Sequence, residues 1–294
     1  MEFPETVIST AIEPKTTADE KKLLTSLEQL KMEDPSFSFQ SNKETGQLLI
    51  LGMGELHLEI ITDRLHREFN VQINVGDPQV SYRESISGEA VGDNVFEKDI
   101  GGKIQFGHCS LRVCRDDSVD QVEVENTLSK NSIPTEFSDA IIKGINDTYP
   151  GGVIAGYPLI RIKAKIEGAN YRELESSELA YTIVASNTFK EACQSAGVVL
   201  MEPFMDLEVI VPSDFTGDVI ADLNSRRGKV LAIDPKQAKE VIKAEVPLAG
   251  MFGYSTDLRS KSQGRATFSM TFKEYVEMPK KLAKDVLEKR GIFI

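Results

Sequence analysis

The sequence predicts an α+β fold in which two βαββαβ units flank a middle region of mixed strands and helices. Three observations carry this. Near the N-terminus, stretches of two-residue apolar alternation and stretches of helical apolar spacing follow one another as strand, helix, strand, strand, helix, strand. The same order returns near the C-terminus. Between them, from Val80 to about Ala196, strands and helices mix without that order, so the repeat predicts two copies of a split βαβ unit and three domains in all.

In the first unit, VISTAIEP alternates as a half-buried strand, and Thr17-Ala-Asp-Glu20 offers a capping box for a helix whose buried stripe is Leu23, Leu27 and Leu30. SFSFQSNKETGQLLILG alternates on both sides of Glu44-Thr-Gly46, which predicts a hairpin. GELHLEIITDRLHREF places Leu58, Ile61, Leu65 and Phe69 at helical spacing, and VQINV closes the unit before Gly76-Asp-Pro78.

The middle region contains VSYRESISGEAVG, the Gly-rich GGKIQFGHCSLRV, the helical IPTEFSDAIIKGIND and the loop GGVIAGYP. IRIKAKI alternates, so Arg161, Lys163 and Lys165 are expected on one face of a strand and Ile160, Ile162, Ala164 and Ile166 on the other. In the last unit MDLEVIVP reads as a strand, DFTGDVIADLNSRR as a helix with Phe215, Val219 and Leu223 on one face, and GKVLAID and EVIKAEVPL as strands. AGMFGYSTDLRSKS is a helix of poor propensity before the closing strand ATFSMTF. PKKLAKDVLEKRGIFI is a short basic amphipathic helix that starts after Pro279 and is expected to dock.

Composition narrows the function. The 294 residues carry a formal net charge of −12, with 40% hydrophobic and 27% charged residues, as in ordinary globular chains. Such acidity argues against a nonspecific nucleic-acid clamp, whose affinity comes from neutralising many phosphates. Against it stands a local basic run, Arg259, Lys261 and Arg265, in GYSTDLRSKSQGRATFSM. Three cysteines, Cys109, Cys114 and Cys193, without CxxC spacing predict neither a disulfide framework nor a zinc site and fit a reducing cytoplasm. MEFPETVIST has neither a basic nor an apolar signal region, and no apolar run is long enough to span a bilayer, so no membrane partner is expected.

No catalytic constellation stands out. GxxxxGK[ST] is absent, and GGVIAGYP, with Gly151, Gly152 and Gly156, lacks the Lys and Ser/Thr of a phosphate loop and reads as a turn. His57 beside Glu55 and Glu59 has no second His at helical spacing, so it and His66 read as surface or capping residues. His108 and Cys109 are neighbours on a strand and point to opposite faces. The expectation is a chain without catalytic residues, cofactor or metal.

Three long stretches, GQLLILGMGELHLEIITDRL, FTGDVIADLNSRRGKV and VPLAGMFGYSTDLRSKSQGRATFSM, together resemble domains III, IV and V of bacterial elongation factor G, the ribosomal translocase. The resemblance runs from Pro4 to about Lys289. It implies two ferredoxin-like domains, 1–77 and 199–278, flanking an elongated domain similar to domain 2 of ribosomal protein S5, 78–198, completed by the C-terminal helix 279–294. It also implies that the chain is a fragment with Met1 as an added start. The family's GTPase domain, which holds GTP and magnesium, and its β-barrel would precede it.

The implied partners are the sarcin-ricin loop and stalk base of the large ribosomal subunit, the decoding centre of the small subunit, and the A-site tRNA and mRNA. The resemblance assigns rRNA contact to Arg226, Arg227, Lys229, Arg259, Lys261 and Arg265. It assigns the tip that enters the A site to two loops, GGKIQFGHC with Lys103, Gln105, Phe106 and His108, and GANYRELESSE with Asn170, Tyr171 and Arg172. The sequence departs from the family there: the first loop usually reads Gly-Arg-Gly-Gln-Tyr where this chain has Lys103-Ile104-Gln105-Phe106, and the second usually has His where this chain has Arg172. The guanidinium of Arg172 is expected to be held out at the tip, with an ion pair to Glu173 or Glu175 as the alternative. The resemblance implies translocation, with the ribosome-recycling paralogue as the alternative and an RNA-modifying enzyme as a remote one.

Overall fold

The computed structural model describes residues 8–41, 48–76, 79–129, 132–236 and 238–293. The chain divides into two compact units, Met1–Ser81 with Glu202–Val276, and Tyr82–Met201 with Glu277–Ile294.

The first unit begins β1 (Ile8–Pro14), α1 (Thr17–Glu33), β2 (Ser38–Ser41), β3 (Leu48–Gly52), α2 (Glu55–Arg67), β4 (Ile73–Val75) and β5 (Gln79–Val80). The strands lie in the order β2-β3-β1-β4, with β5 also paired to β1. Leu23, Leu27 and Leu30 of α1 and Leu58, Ile61 and Leu65 of α2 are buried in one cluster with Ile8, Ile12 and Ile50. Each such side chain contributes about 1.5–3 kcal/mol by leaving water. The expected helix cap is displaced by one residue. Thr16, in extended backbone, is the N-cap, and its hydroxyl accepts the Asp19 N–H at 3.2 Å. Lys15 still donates its N–H to the Gln72 carbonyl at 2.9 Å, so the chain turns into the helix only after it. Val7, the turn at Glu44-Thr-Gly46, and Asp77 and Pro78 lie outside the described residues.

The second unit contains β6 (Arg83–Ile86), β7 (Glu89–Ile100), β8 (Lys103–Arg115), β9 (Val122–Asn126), α3 (Thr135–Thr148), β10 (Ile162–Gly168), α4 (Glu178–Ser195) and the start of β11 (Val198–Pro212). Its sheet runs β7-β8-β10-β9, with β10 antiparallel to β8 and parallel to β9. The β7–β8 ribbon is in unbroken register from Glu89–Cys114 to Ile100–Lys103, roughly 35 Å at the usual rise per residue. α4 lies so close to this ribbon that a Cβ on Gly107 would sit 2.8 Å from the Ala180 carbonyl carbon. On β10, Ile162, Ala164 and Ile166 are buried, and Lys163 and Lys165 lie 3.4 and 3.7 Å from Glu125 of the neighbouring strand. Arg161 does not share their face as a strand residue: it precedes the strand in left-handed backbone, φ 57°.

The first unit resumes within β11 and continues through α5 (Thr216–Ser225), β12 (Lys229–Lys236), β13 (Lys239–Pro247), α6 (Tyr254–Lys261) and β14 (Thr267–Glu277). The order β12-β13-β11-β14 reproduces that of the first repeat, so both sheets carry the ferredoxin-like arrangement with first and third strands central. Val219, Leu223, Tyr254 and Leu258 join the same buried cluster as the first repeat, and Glu55 accepts the Gly253 N–H at 3.0 Å. Phe215 packs at the margin of that cluster.

In the second unit the loop GGVIAGYP does hold an anion, and the anion is the protein's own. Glu84, on β6, is fully buried. Its carboxylate accepts four backbone N–H groups, from Val153 (2.7 Å), Ile154 (3.0 Å), Ala155 (2.7 Å) and Tyr157 (3.2 Å). Gly152 makes the turn with φ 65°, where a Cβ would collide with the Tyr157 carbonyl and come within 2.6 Å of Glu84 Oε1. The loop also receives α7 (Lys280–Lys289): Arg290 donates to the Ala155 carbonyl at 2.5 Å and lies 4.2 Å over the Tyr157 ring, while Leu287 packs with Ala155, Leu200 and Met278.

Because an amide cannot accept four N–H bonds and must bury two donors among donors, Glu84→Gln is expected to destabilise the second unit by about 2–4 kcal/mol. Gly152→Ala should act in the same direction by collision. Denaturant unfolding by circular dichroism, with hydrogen exchange of the 149–160 segment, checks both. Exchange in that segment at the wild-type rate in Glu84→Gln would refute the role of the carboxylate.

Candidate nucleic-acid interface

The second unit ends in a tip formed where two segments meet. The β7–β8 turn is made by Gly101 and Gly102, both at positive φ, with the Gly102 N–H on Asp99 at 2.8 Å. The other segment leaves β10 at Gly168 and returns to α4, whose N-cap Ser177 accepts the Ala180 N–H. Hydrogen bonds join them: the Phe106 N–H donates to the Glu175 carbonyl at 2.8 Å, and His108 Nδ1 accepts the Asn170 N–H at 3.0 Å. His108 therefore carries its proton on Nε2, which faces Asp93 Oδ1 at 3.1 Å. The Tyr181 hydroxyl donates to the Asn170 carbonyl at 2.6 Å, and the Tyr171 ring tilts over Phe137 at 5.6 Å.

The expected tip residues fall into three groups. Lys103 is exposed without a side-chain partner among the described residues, Gln105 is half-buried, and Asn170 and Tyr171 are exposed. Phe106 and His108 are buried and hold the loops together. Arg172 is turned back rather than held out. Its guanidinium stacks 3.9 Å over the Phe106 ring and pairs with Glu97 at 3.0 Å and Glu175 at 3.3 Å. The loop folds this way because Ser176 returns to Arg172, accepting its N–H at 3.0 Å. Positions 106 and 172, two of those at which the sequence departs from the resembled pattern, are thus in contact. Sequence reading passed over Leu174, 99% exposed at φ 69°; its only signal is an apolar residue between Glu173 and Glu175.

The basic residues of the first unit also separate once their partners are seen. Arg226, at the C-terminal end of α5, donates to Asp222 at 2.9 Å and the Gly250 carbonyl at 2.7 Å, and pairs with Asp257. Arg227, at φ 66°, makes a two-point pair with the buried Glu202 at 2.7 and 2.8 Å. Lys261 bonds Asp222. Arg265 lies 4.6 Å over the Phe215 ring. Lys229 and Arg259 are exposed and have no side-chain partner among the described residues. Burial alone would push the Asp222 carboxyl up, but the hydrogen bonds from Lys261 and Arg226 outweigh it and hold the group below the usual carboxylate range.

The remaining candidates have local roles. His57 accepts the Met53 N–H at Nδ1 and faces Asp34 through Nε2 at 2.8 Å, and His66 Nδ1 lies 2.9 Å from the Gln72 amide nitrogen. Cys109 is buried, and burial pushes its thiol up to about 12. No group of three or more potential metal ligands occurs among the described residues, and none of their helices is long and apolar enough to cross a membrane.

Family models match the chain in three consecutive segments: Elongation Factor G, domain III, over residues 3–77; Elongation factor G, domain IV, over 78–197; and Elongation factor G C-terminus over 199–286. Among solved structures, a crystal structure of a protein from Thermus thermophilus is similar with a TM-score of 0.78 and 35% sequence identity. The match covers 99% of this chain and 44% of that one, so the chain spans less than half the length of this relative.

The Asp222 cluster has a pH signature. A carboxyl lowered in the fold contributes stability that is present above its unfolded value, about 3.9, and is lost as the pH falls through its lower folded value. The Asp222→Asn variant should be less stable at neutral pH, and its thermal midpoint should fall less steeply than the wild type's as the pH drops below about 4. Parallel curves for the two proteins would contradict the assignment.

Proposed function

The chain belongs to the elongation factor G family, matching domain III, domain IV and the C-terminus in order, and on that premise we propose that this elongation-factor module binds the ribosome and drives tRNA–mRNA translocation. The observation that supports this most is the built tip of the second unit, a long ribbon and a helix ending in two loops bonded to each other. Such a tip reaches into a narrow site without collapsing. In this reading the tip, with Lys103, Gln105, Phe106, His108, Asn170, Tyr171 and Arg172, enters the A site at the decoding centre and meets tRNA and mRNA. The C-terminal repeat meets the sarcin-ricin loop and the stalk base. The chain acts in the cytoplasm as part of a longer GTPase whose preceding domains hold GTP and magnesium.

Of the six expected cations of the C-terminal repeat, Lys229 and Arg259 are those available for phosphate, with the stacked Arg265 at hand; Arg226, Arg227 and Lys261 neutralise the protein's own carboxylates and shape the surface. An acidic chain with a few free cations binds RNA locally and is repelled elsewhere, which suits a factor that must leave after each cycle. One observation favours ribosome recycling as a second reading: the departures at 106 and 172 touch, so the tip has changed as a unit. Single-round translocation and ribosome-splitting assays on the full-length protein tell the two apart.

Replacing Lys229 and Arg259 by Ala should weaken ribosome binding and flatten its salt dependence by roughly one unit of slope per lost phosphate contact, measured by equilibrium binding across a salt series. An unchanged slope with an intact fold would show that both are merely solvated. Titration of this chain with GTP and magnesium should give no binding heat, and micromolar affinity would overturn the assignment of the nucleotide to preceding domains.

A further inference from the structure

The tip is built in a way that does not suit an arginine gripping phosphate. The Arg172 guanidinium is covered on one face by the Phe106 ring at 3.9 Å and engaged by Glu97 and Glu175. A phosphate approaching it would meet those two carboxylates and the exposed Glu173. The three groups that hold Arg172 come from β7, from β8 and from its own loop, so the side chain spans the junction of the two tip segments. Two residues beyond it stands Leu174, 99% exposed and in left-handed backbone at φ 69°, a conformation unfavourable for an L residue with a side chain. That conformation is fixed from both sides: the Ser176 N–H donates to the Arg172 carbonyl at 3.0 Å, and the Glu175 carbonyl accepts from Phe106. The fold therefore holds an apolar side chain in water at the leading end of the second unit, with Tyr171, 44% exposed, in the same loop.

Resting on the ribosomal reading above, we propose that Arg172 is a positioning residue that clamps the two loops together, and that the contact with A-site RNA is made by Leu174 and Tyr171. Their apolar surfaces fit ribose and base edges in the shallow minor groove of an RNA helix, where recognition is by shape. The carboxylates beside them keep the backbone phosphates away. The tip's contribution to binding is then nearly independent of salt, unlike that of the exposed cations on the C-terminal repeat. Lys103, on the other segment, is a tip cation without a side-chain partner among the described residues.

The test uses the full-length protein on ribosomes with a tRNA awaiting translocation, and compares wild type, Leu174→Gly, Arg172→Ala, Arg172→Lys and the Leu174→Gly/Arg172→Ala double variant. Glycine adopts the left-handed conformation freely, so Leu174→Gly removes the side chain without loosening the loop. We expect Leu174→Gly to slow single-round translocation on the order of tenfold at unchanged thermal midpoint. Arg172→Ala should slow it similarly, and Arg172→Lys should not rescue it, because an ammonium lacks the planar stack. The double variant should be no slower than the worse single one, since Arg172 acts through the group it presents. The salt slope of ribosome affinity should stay at its wild-type value in all four variants. A drop of about one unit in Arg172→Ala, a wild-type rate in Leu174→Gly, or losses that multiply in the double variant would each overturn the proposal. A wild-type protein that fails to bind ribosomes would overturn the ribosomal reading and this inference with it, whereas an active wild type with an indifferent Leu174→Gly overturns this inference alone.

Discussion

One buried carboxylate organises the base of the second unit. Glu84 takes up four backbone N–H groups of the 153–157 loop, which without it would lose their acceptor. The loop so fixed receives α7 through Arg290 and Tyr157. β6, which carries Glu84, pairs with the first four residues of β11, from Ile86–Val198 to Arg83–Met201. The next turn of chain, Ser87 and Gly88, bonds the Gly197 and Ala196 carbonyls at the end of α4. From that base the ribbon of β7 and β8 and the length of α4 run to the two loops at the other end, so the tip's position follows from a polar contact far from it.

Charge is used differently at the two candidate surfaces. At a net −12, most cations described above answer a nearby carboxylate: Arg226 and Lys261 on Asp222, Arg227 on Glu202, Arg172 on Glu97 and Glu175. Lys229 and Arg259 have no such partner among the described residues, and in the proposed reading their charge meets an RNA backbone. At the tip the guanidinium is engaged internally, and the most exposed apolar side chain is that of Leu174. Attachment by charge and engagement by shape respond differently to ionic strength, which separates them experimentally.

The repeat was legible because burial on one face imposes a period, and Leu23, Leu27 and Leu30 or Val219 and Leu223 cannot satisfy it in any other element. Boundaries were less so. β11 starts at Val198, well before the alternating MDLEVIVP, because Leu200 to Glu202 are buried in succession and show no alternation. The cap at Thr16 rather than Thr17 turned on one bond from Lys15 to Gln72, distant in sequence. At the site, the sequence displays cations but not their partners. Asp257 is 31 positions from Arg226, and Glu97 is 75 from Arg172, so nothing local announces that these side chains are engaged. Likewise GGVIAGYP looked like a turn because its anion, Glu84, arrives from 69 positions away at the nearest. The left-handed backbone of Leu174 is set by a bond between two loops, which no residue pattern records.

If the far end of the second unit is the surface that this protein inserts into the ribosome, as proposed, its side chains must lose contact with water on binding. Hydroxyl-radical footprinting, read by mass spectrometry on free and ribosome-bound protein, measures this at the residues concerned. Oxidation of Tyr171 and Leu174 is expected to fall sharply on binding. Undiminished oxidation at both residues in ribosome-bound protein, with protection confined to the C-terminal repeat, would contradict it.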